Sequence, residues 1–125
     1  MSSADVPLQL RRILVVEDDF LVAEVVVELL QNLGAEIIGP FSRLQQAMSF
    51  LETGADGIDG AVLDVNLNGE KSYPIADRLI ALSIPFCFST GYGSSALDAA
   101  YQHLPRCEKP FGEQALVAAL SAVGL

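Results

Sequence analysis

Ile13-Leu14-Val15-Val16-Glu17-Asp18-Asp19 is the stretch that decides the architecture of this chain. A short, continuous apolar run reads as a buried strand, and it breaks directly into carboxylates. The pattern recurs. Ala61-Val62-Leu63 runs into Asp64, and the segment through Cys107-Glu108 ends at Lys109-Pro110. In an open parallel sheet, ligands bind at the carboxyl edge of the strands, beside the topological switch point. Carboxylates from two strands and one lysine meeting there hold a hard cation and an anion together. The arrangement predicts a carboxylate–metal–phosphoryl site.

Outward from that stretch, the periodicity alternates between strand and helix. Residues 11–17 read as the first strand. Leu21, Val22, Val25, Val26, Leu29, Leu30 and Leu33 then recur at helical spacing, and Gly34 supplies a stop. Residues 35–39 read as a strand ending at Gly39-Pro40. Ser42 opens a helix carrying Leu44, Ala47, Met48 and Leu51, which Gly54 ends. Residues 60–65 form the third strand, and Asn66 to Glu70 a loop rich in turn formers. Pro74 suits the first turn of the next helix. Residues 84–89 form the fourth strand, Gly91-Tyr92-Gly93 a flexible connection, and Ser94 or Ser95 caps a short helix through Tyr101. Residues 104–108 and 113–123 complete the pattern as strand and helix.

Five strands thus alternate with five helices across short loops. Such alternation implies right-handed crossovers and a parallel sheet. The expected fold is α/β: a flavodoxin-like (βα)5 doubly wound sandwich, strand order 2-1-3-4-5, with its switch point between the first and third strands. Residues 1–10 read as a flexible lead and residues 11–125 as one domain.

The 125 residues suffice for one proper core, and 51% of them are hydrophobic, which argues against disorder. A net charge of −9 with scattered basic residues excludes a nucleic-acid surface. No apolar run approaches the ~20 residues that cross a bilayer, and Met1 to Gln9 carries no signal-type core, so a cytoplasmic protein without membrane contact is expected. Cys87 and Cys107 fall inside strands and read as buried free thiols; no Cys/His cluster has zinc-ligand spacing.

Glu17, Asp18 and Asp64 project from the first and third strand ends, where their charges repel. A divalent cation relieves the repulsion, and oxygen ligands with room for waters suit Mg²⁺. Asp18 or Asp19 is alternatively a helix N-cap. Asp64 emerges from a buried strand, where a carboxylate needs a partner or a job. A carboxylate can attack phosphorus and form an acyl phosphate. Lys109 then supplies a second positive charge and Thr90, ending the fourth strand, a hydroxyl donor. The Lys109-Pro110 bond is a candidate cis peptide that fixes the loop. His103, the only histidine, falls in a turn and reads as a surface residue.

Together these residues resemble the receiver domain of two-component response regulators, over residues 11–124. That family carries an acidic pair after its first strand, a phosphoacceptor Asp after the third, Thr or Ser after the fourth and Lys-Pro after the fifth. Glu17-Asp18, Asp64, Thr90 and Lys109-Pro110 match in order. The resemblance implies that Asp18 and Asp64 bind Mg²⁺ directly, that Glu17 acts mainly through water, and that the Asn66 backbone carbonyl is a further ligand. The run Pro85 to Gly93 also resembles the motif of the alphaproteobacterial single-domain "FAT GUY" receivers, with Ser89 where that motif usually has Ala. One departure stands out. Arg106 holds the place of the usual aromatic switch residue, so phosphorylation is expected to be read out through Thr90 to Ser95, with Gly91, Tyr92 and Gly93 rearranging and Arg106 staying at the surface.

The function this implies is a stand-alone receiver. It accepts a phosphoryl group on Asp64 from a histidine kinase or phosphotransfer protein, catalyses its own phosphorylation and dephosphorylation, and signals by contact with a downstream protein as a monomer or weak dimer. The alternative is a phosphorylation-independent pseudo-receiver that only binds. A phosphatase of the haloacid dehalogenase type requires a second Asp where Asn66 stands.

Overall fold

The structure is a computed structural model and describes residues 8–91, 97–109 and 112–125. Strands are β1 (Arg12–Val16), β2 (Glu36–Phe41), β3 (Gly60–Asp64), β4 (Asn66–Leu67), β5 (Glu70–Lys71), β6 (Phe86–Thr90) and β7 (Arg106–Glu108). Helices are α1 (Phe20–Asn32), α2 (Leu44–Gly54), α3 (Tyr73–Ala81) and α4 (Glu113–Ala122). Five of the strands form one sheet in the order β2-β1-β3-β6-β7, every pair parallel. Counting only these strands, the order is 2-1-3-4-5, as expected.

Alternation along each strand splits the core in two. Leu14, Val16, Ala61, Leu63, Phe86 and Phe88 pack with Ala47 and Leu51 of α2 and Ile75, Ala76 and Leu79 of α3. Ile13, Val15, Val62, Cys87 and Cys107 face the other way, against Val26 and Leu30 of α1 and Leu116 and Leu120 of α4. Strands buried on both faces explain why their sequences are continuously apolar.

Three local differences from the sequence reading have clear causes. Asn66 to Glu70 is a loop closed into a hairpin: β4 and β5 pair antiparallel across Asn68 and Gly69, both with positive φ (53° and 88°). Asn-Gly is the favoured two-residue hairpin turn. In place of the short helix through Tyr101, the described residues hold only a 3-10 turn, Ala99–Tyr101. Such a short segment cannot offset helix nucleation, and its anchorage comes from packing instead. Tyr101 stacks on Tyr73 at 4.2 Å between centroids, and its hydroxyl donates to Asp77 at 2.7 Å. Ser94 and Ser95 lie outside the described residues. Within the N-terminal lead, Leu8 is buried in the α1/α4 core and its N–H donates to the Leu33 carbonyl at 2.8 Å.

The second strand runs past Gly39 to Phe41. The Gly39-Pro40 peptide is cis; Pro110, the expected cis candidate, lies outside the described residues. Gly39 has φ +100°, and a Cβ there would stand 2.9 Å from the Val15 carbonyl oxygen and 2.8 Å from Phe41 N, so only glycine fits.

Asp19 is the N-cap of α1, its Oδ1 accepting from Leu21 N at 2.9 Å and Val22 N at 3.2 Å. Asp19→Ala should therefore cost about 1 kcal/mol in urea unfolding. With Asp19 engaged in capping, Asp18 is left for the sheet edge.

Candidate metal and phosphoryl site

The register brings the acidic strand ends together. β1 and β3 pair Val16 with Leu63, and one step further along each chain come Glu17 and Asp64. By alternation both fall on the α1/α4 side of the sheet. One carboxylate oxygen from each of Glu17, Asp18 and Asp64 lies within 4.8 Å of the others. Lys109, two residues beyond Cys107, reaches across the edge. Its Nζ is 2.7 Å from Glu17 Oε1 and 3.1 Å from Asp64 Oδ2. The β7 end is itself tied to β6, with Lys109 N donating to the Thr90 carbonyl at 2.7 Å.

Backbone donors hold the carboxylates in place. Glu17 Oε2 accepts from Asp19 N at 3.0 Å, and Asp64 Oδ1 from Asn66 N at 3.3 Å. Asp18 Oδ2 accepts from Asn68 N at 2.9 Å, so the hairpin after β3 positions the carboxylate after β1. The sequence reading did not assign Asn68 a place in the site. The Asn68-Gly69 turn signal was legible, but a contact spanning fifty residues of chain was not.

The electrostatics divide the carboxylates. Glu17 is 3% exposed, and burial, reinforced by hydrogen bonding to Asp64, raises its pKa to about 8 despite the Lys109 bond. Burial also raises Asp64, against the opposing pull of Glu17 and Lys109. Burial pushes Asp18 up too, but the Asn68 N–H and its carboxylate neighbours outweigh that and leave it lowered. Burial would lower Lys109; its bond to Glu17 and the Asp64 charge prevail and raise it.

Clustered oxygen donors at a partly open edge fit a hard divalent cation such as Mg²⁺. Glu17, Asp18 and Asp64 are the side chains to hold it, and Asn66 follows Asp64 closely enough to belong to the same edge. Thr90 is 1% exposed and its hydroxyl donates to the Cys107 carbonyl at 3.4 Å, towards β7 and not to a carboxylate. Arg106 is half-buried, its Nη1 donating to the Gln102 carbonyl at 3.0 Å. Gly91 is exposed at the end of β6, whereas Tyr92 and Gly93 lie outside the described residues. Cys87 and Cys107 are buried free thiols, as expected, and Cys107 Sγ donates to the Ala115 carbonyl at 3.4 Å.

No family model and no curated protein matches this sequence. Solved structures do. The chain is 37% identical to SdrG from Sphingomonas melonis Fr1, covering 100% of both chains with a TM-score of 0.83. Against the BeF3-activated conformation of SdrG, described from Pseudomonas melonis Fr1, identity is again 37%, over 94% of this chain and 98% of that one, with a TM-score of 0.78. A response regulator receiver domain protein from Clostridium thermocellum shares the fold at 18% identity, a TM-score of 0.76 and coverage of 91% and 94%. Whole-length kinship to SdrG, a receiver fold and an acidic edge completed by a lysine lead to one assignment: this chain belongs to the response regulator receiver domain family of two-component signalling.

Proposed function

We propose that this chain is a Mg²⁺-dependent phosphoacceptor that takes a phosphoryl group from a histidine kinase or phosphotransfer protein onto Asp64. The observation that carries the reading is Lys109 Nζ at 3.1 Å from Asp64 Oδ2, at the edge where one carboxylate oxygen each from Glu17, Asp18 and Asp64 lie within 4.8 Å of one another. An Asp64 oxygen attacks the phosphorus of a phosphohistidine, a P–O bond forms, and the P–N bond breaks with its electron pair going to the imidazole. Bound Mg²⁺ supplies charge neutralisation where the phosphoryl oxygens arrive. Lys109 adds a second positive charge, and Asn66 N–H orients the attacking carboxylate. Thr90 follows by exchanging its Cys107 bond for a phosphoryl oxygen, which couples the site to β7.

Phosphodonor docking finds support beside the site. Phe20 and Leu21, in the first turn of α1, are 73% and 70% exposed, and Val25 continues their apolar surface. Exposed apolar side chains next to a reactive carboxylate suit contact with another protein. No helix among the described residues is long and apolar enough to cross a membrane, in keeping with signalling by protein contact.

Incubation with acetyl phosphate and Mg²⁺ tests the reading. Mass analysis and Phos-tag gels should show one phosphoryl group per chain, lost on EDTA treatment before labelling. A chain that binds Mg²⁺ yet takes up no phosphoryl group would instead be the pseudo-receiver.

A further inference from the structure

Ser89 sits at the one place in the sheet where a hydroxyl faces the phosphoacceptor from a neighbouring strand. Phe86 and Phe88 of β6 point into the α2/α3 core and Cys87 into the α1/α4 core, so Ser89 turns to the α1/α4 side. The register pairs Ser89 with Asp64 on one flank and Cys107 on the other. Lys109, two residues past Cys107, reaches Asp64 from that same flank. Ser89 is 2% exposed, and its Oγ has no hydrogen-bond partner among the described residues. A buried hydroxyl left unpaired is costly and calls for an explanation. Neighbouring strands lie about 4.8 Å apart, so a rotation about the Ser89 Cα–Cβ bond, or one bridging water, brings this hydroxyl to an Asp64 oxygen.

Resting on the phosphoacceptor reading, we infer that Ser89 is a positioning donor to Asp64 that favours the free carboxylate over the aspartyl phosphate and so shortens the phosphoryl lifetime. A hydrogen bond to an ionised acceptor is stronger than one to a neutral acceptor. Both Asp64 oxygens share the negative charge of the free carboxylate. Once one oxygen is bonded to phosphorus, the other is a neutral carbonyl. In hydrolysis, water attacks phosphorus, the P–O bond to Asp64 breaks, its electron pair returns to the carboxylate, and inorganic phosphate leaves. The Ser89 donor strengthens as that charge returns, so it stabilises the transition state more than the aspartyl phosphate.

The test labels wild type, Ser89→Ala and Ser89→Thr with acetyl phosphate and Mg²⁺, removes the donor and follows decay on Phos-tag gels. Ser89→Ala should lengthen the lifetime about tenfold, the loss of one charge-assisted bond. Ser89→Thr, which keeps the hydroxyl, should decay close to the wild-type rate. A Ser89→Ala lifetime within twofold of wild type overturns the inference, as does a Ser89→Thr lifetime lengthened as much as that of Ser89→Ala. Wild type that never labels overturns the phosphoacceptor reading, and this inference with it.

Discussion

Asp64→Asn should abolish phosphoryl uptake from acetyl phosphate, because an amide cannot form an acyl phosphate. The substitution keeps shape; it keeps the backbone bond and loses the Lys109 ion pair, since the amide nitrogen takes the place of the oxygen that Lys109 Nζ meets at 3.1 Å. Asn66 N still has an oxygen to donate to, and Lys109 keeps Glu17 at 2.7 Å. One negative charge leaves a cluster whose members lie within 4.8 Å of one another, so the metal-free variant should melt above metal-free wild type. Higher stability with no labelling is a combination that misfolding cannot produce. Phos-tag gels and thermal melts on the same samples read both quantities. Undiminished labelling of Asp64→Asn would falsify the phosphoacceptor assignment and move attention to Asp18.

The sheet was legible because burial on both faces leaves few alternatives. Ile13 to Val16 and Ala61 to Leu63 can be continuously apolar only as central strands, and their neighbours' charges then mark one edge. Asp19 shows where reading stops short. Capping and metal ligation call for the same residue type, and only the backbone N–H groups of Leu21 and Val22 assign Asp19 to the cap. The Thr90 hydroxyl donates to the Cys107 carbonyl, a partner set by strand pairing and invisible in either segment alone. Arg106 is part-exposed, and its long side chain reaches back to the Gln102 carbonyl. The aromatic contact missing at position 106 is partly made elsewhere. Phe88 meets Tyr73 and Tyr101 edge-on, each at 6.2 Å, joining β6 to α3 and the 3-10 turn. The stacking of Tyr101 on Tyr73 joins distant segments and leaves no periodic trace in sequence.

Metal-free protein should lose stability as pH rises from about 5 to about 8, and Mg²⁺ should reverse that loss. Unfolded, Glu17 releases its proton near the ordinary 4.5; folded, it holds the proton to about 8. Between those values the folded state binds more protons, so raising the pH favours unfolding, by up to about 1.4 kcal/mol per unit. Asp64, also raised by burial, adds to the same slope. Asp18 is lowered, so its contribution has the opposite sign, but it falls below 3.8 and outside this window. Mg²⁺ competes with the Glu17 proton, so the stabilisation it gives at a fixed concentration should grow with pH. At a hundred times its dissociation constant, a folded-state ligand adds about 2.7 kcal/mol, which for a domain of this size is a rise of roughly 10 °C in Tm. Asp18→Ala should remove most of the Mg²⁺ response while leaving the metal-free pH slope, which belongs to Glu17 and Asp64. Thermal melts at pH 5, 6.5 and 8, with EDTA or with Mg²⁺, measure all of this. A metal-free Tm flat across that range would remove Glu17 as the source of the strain, and a Tm unmoved by Mg²⁺ at pH 8 would remove the three carboxylates as a cation site.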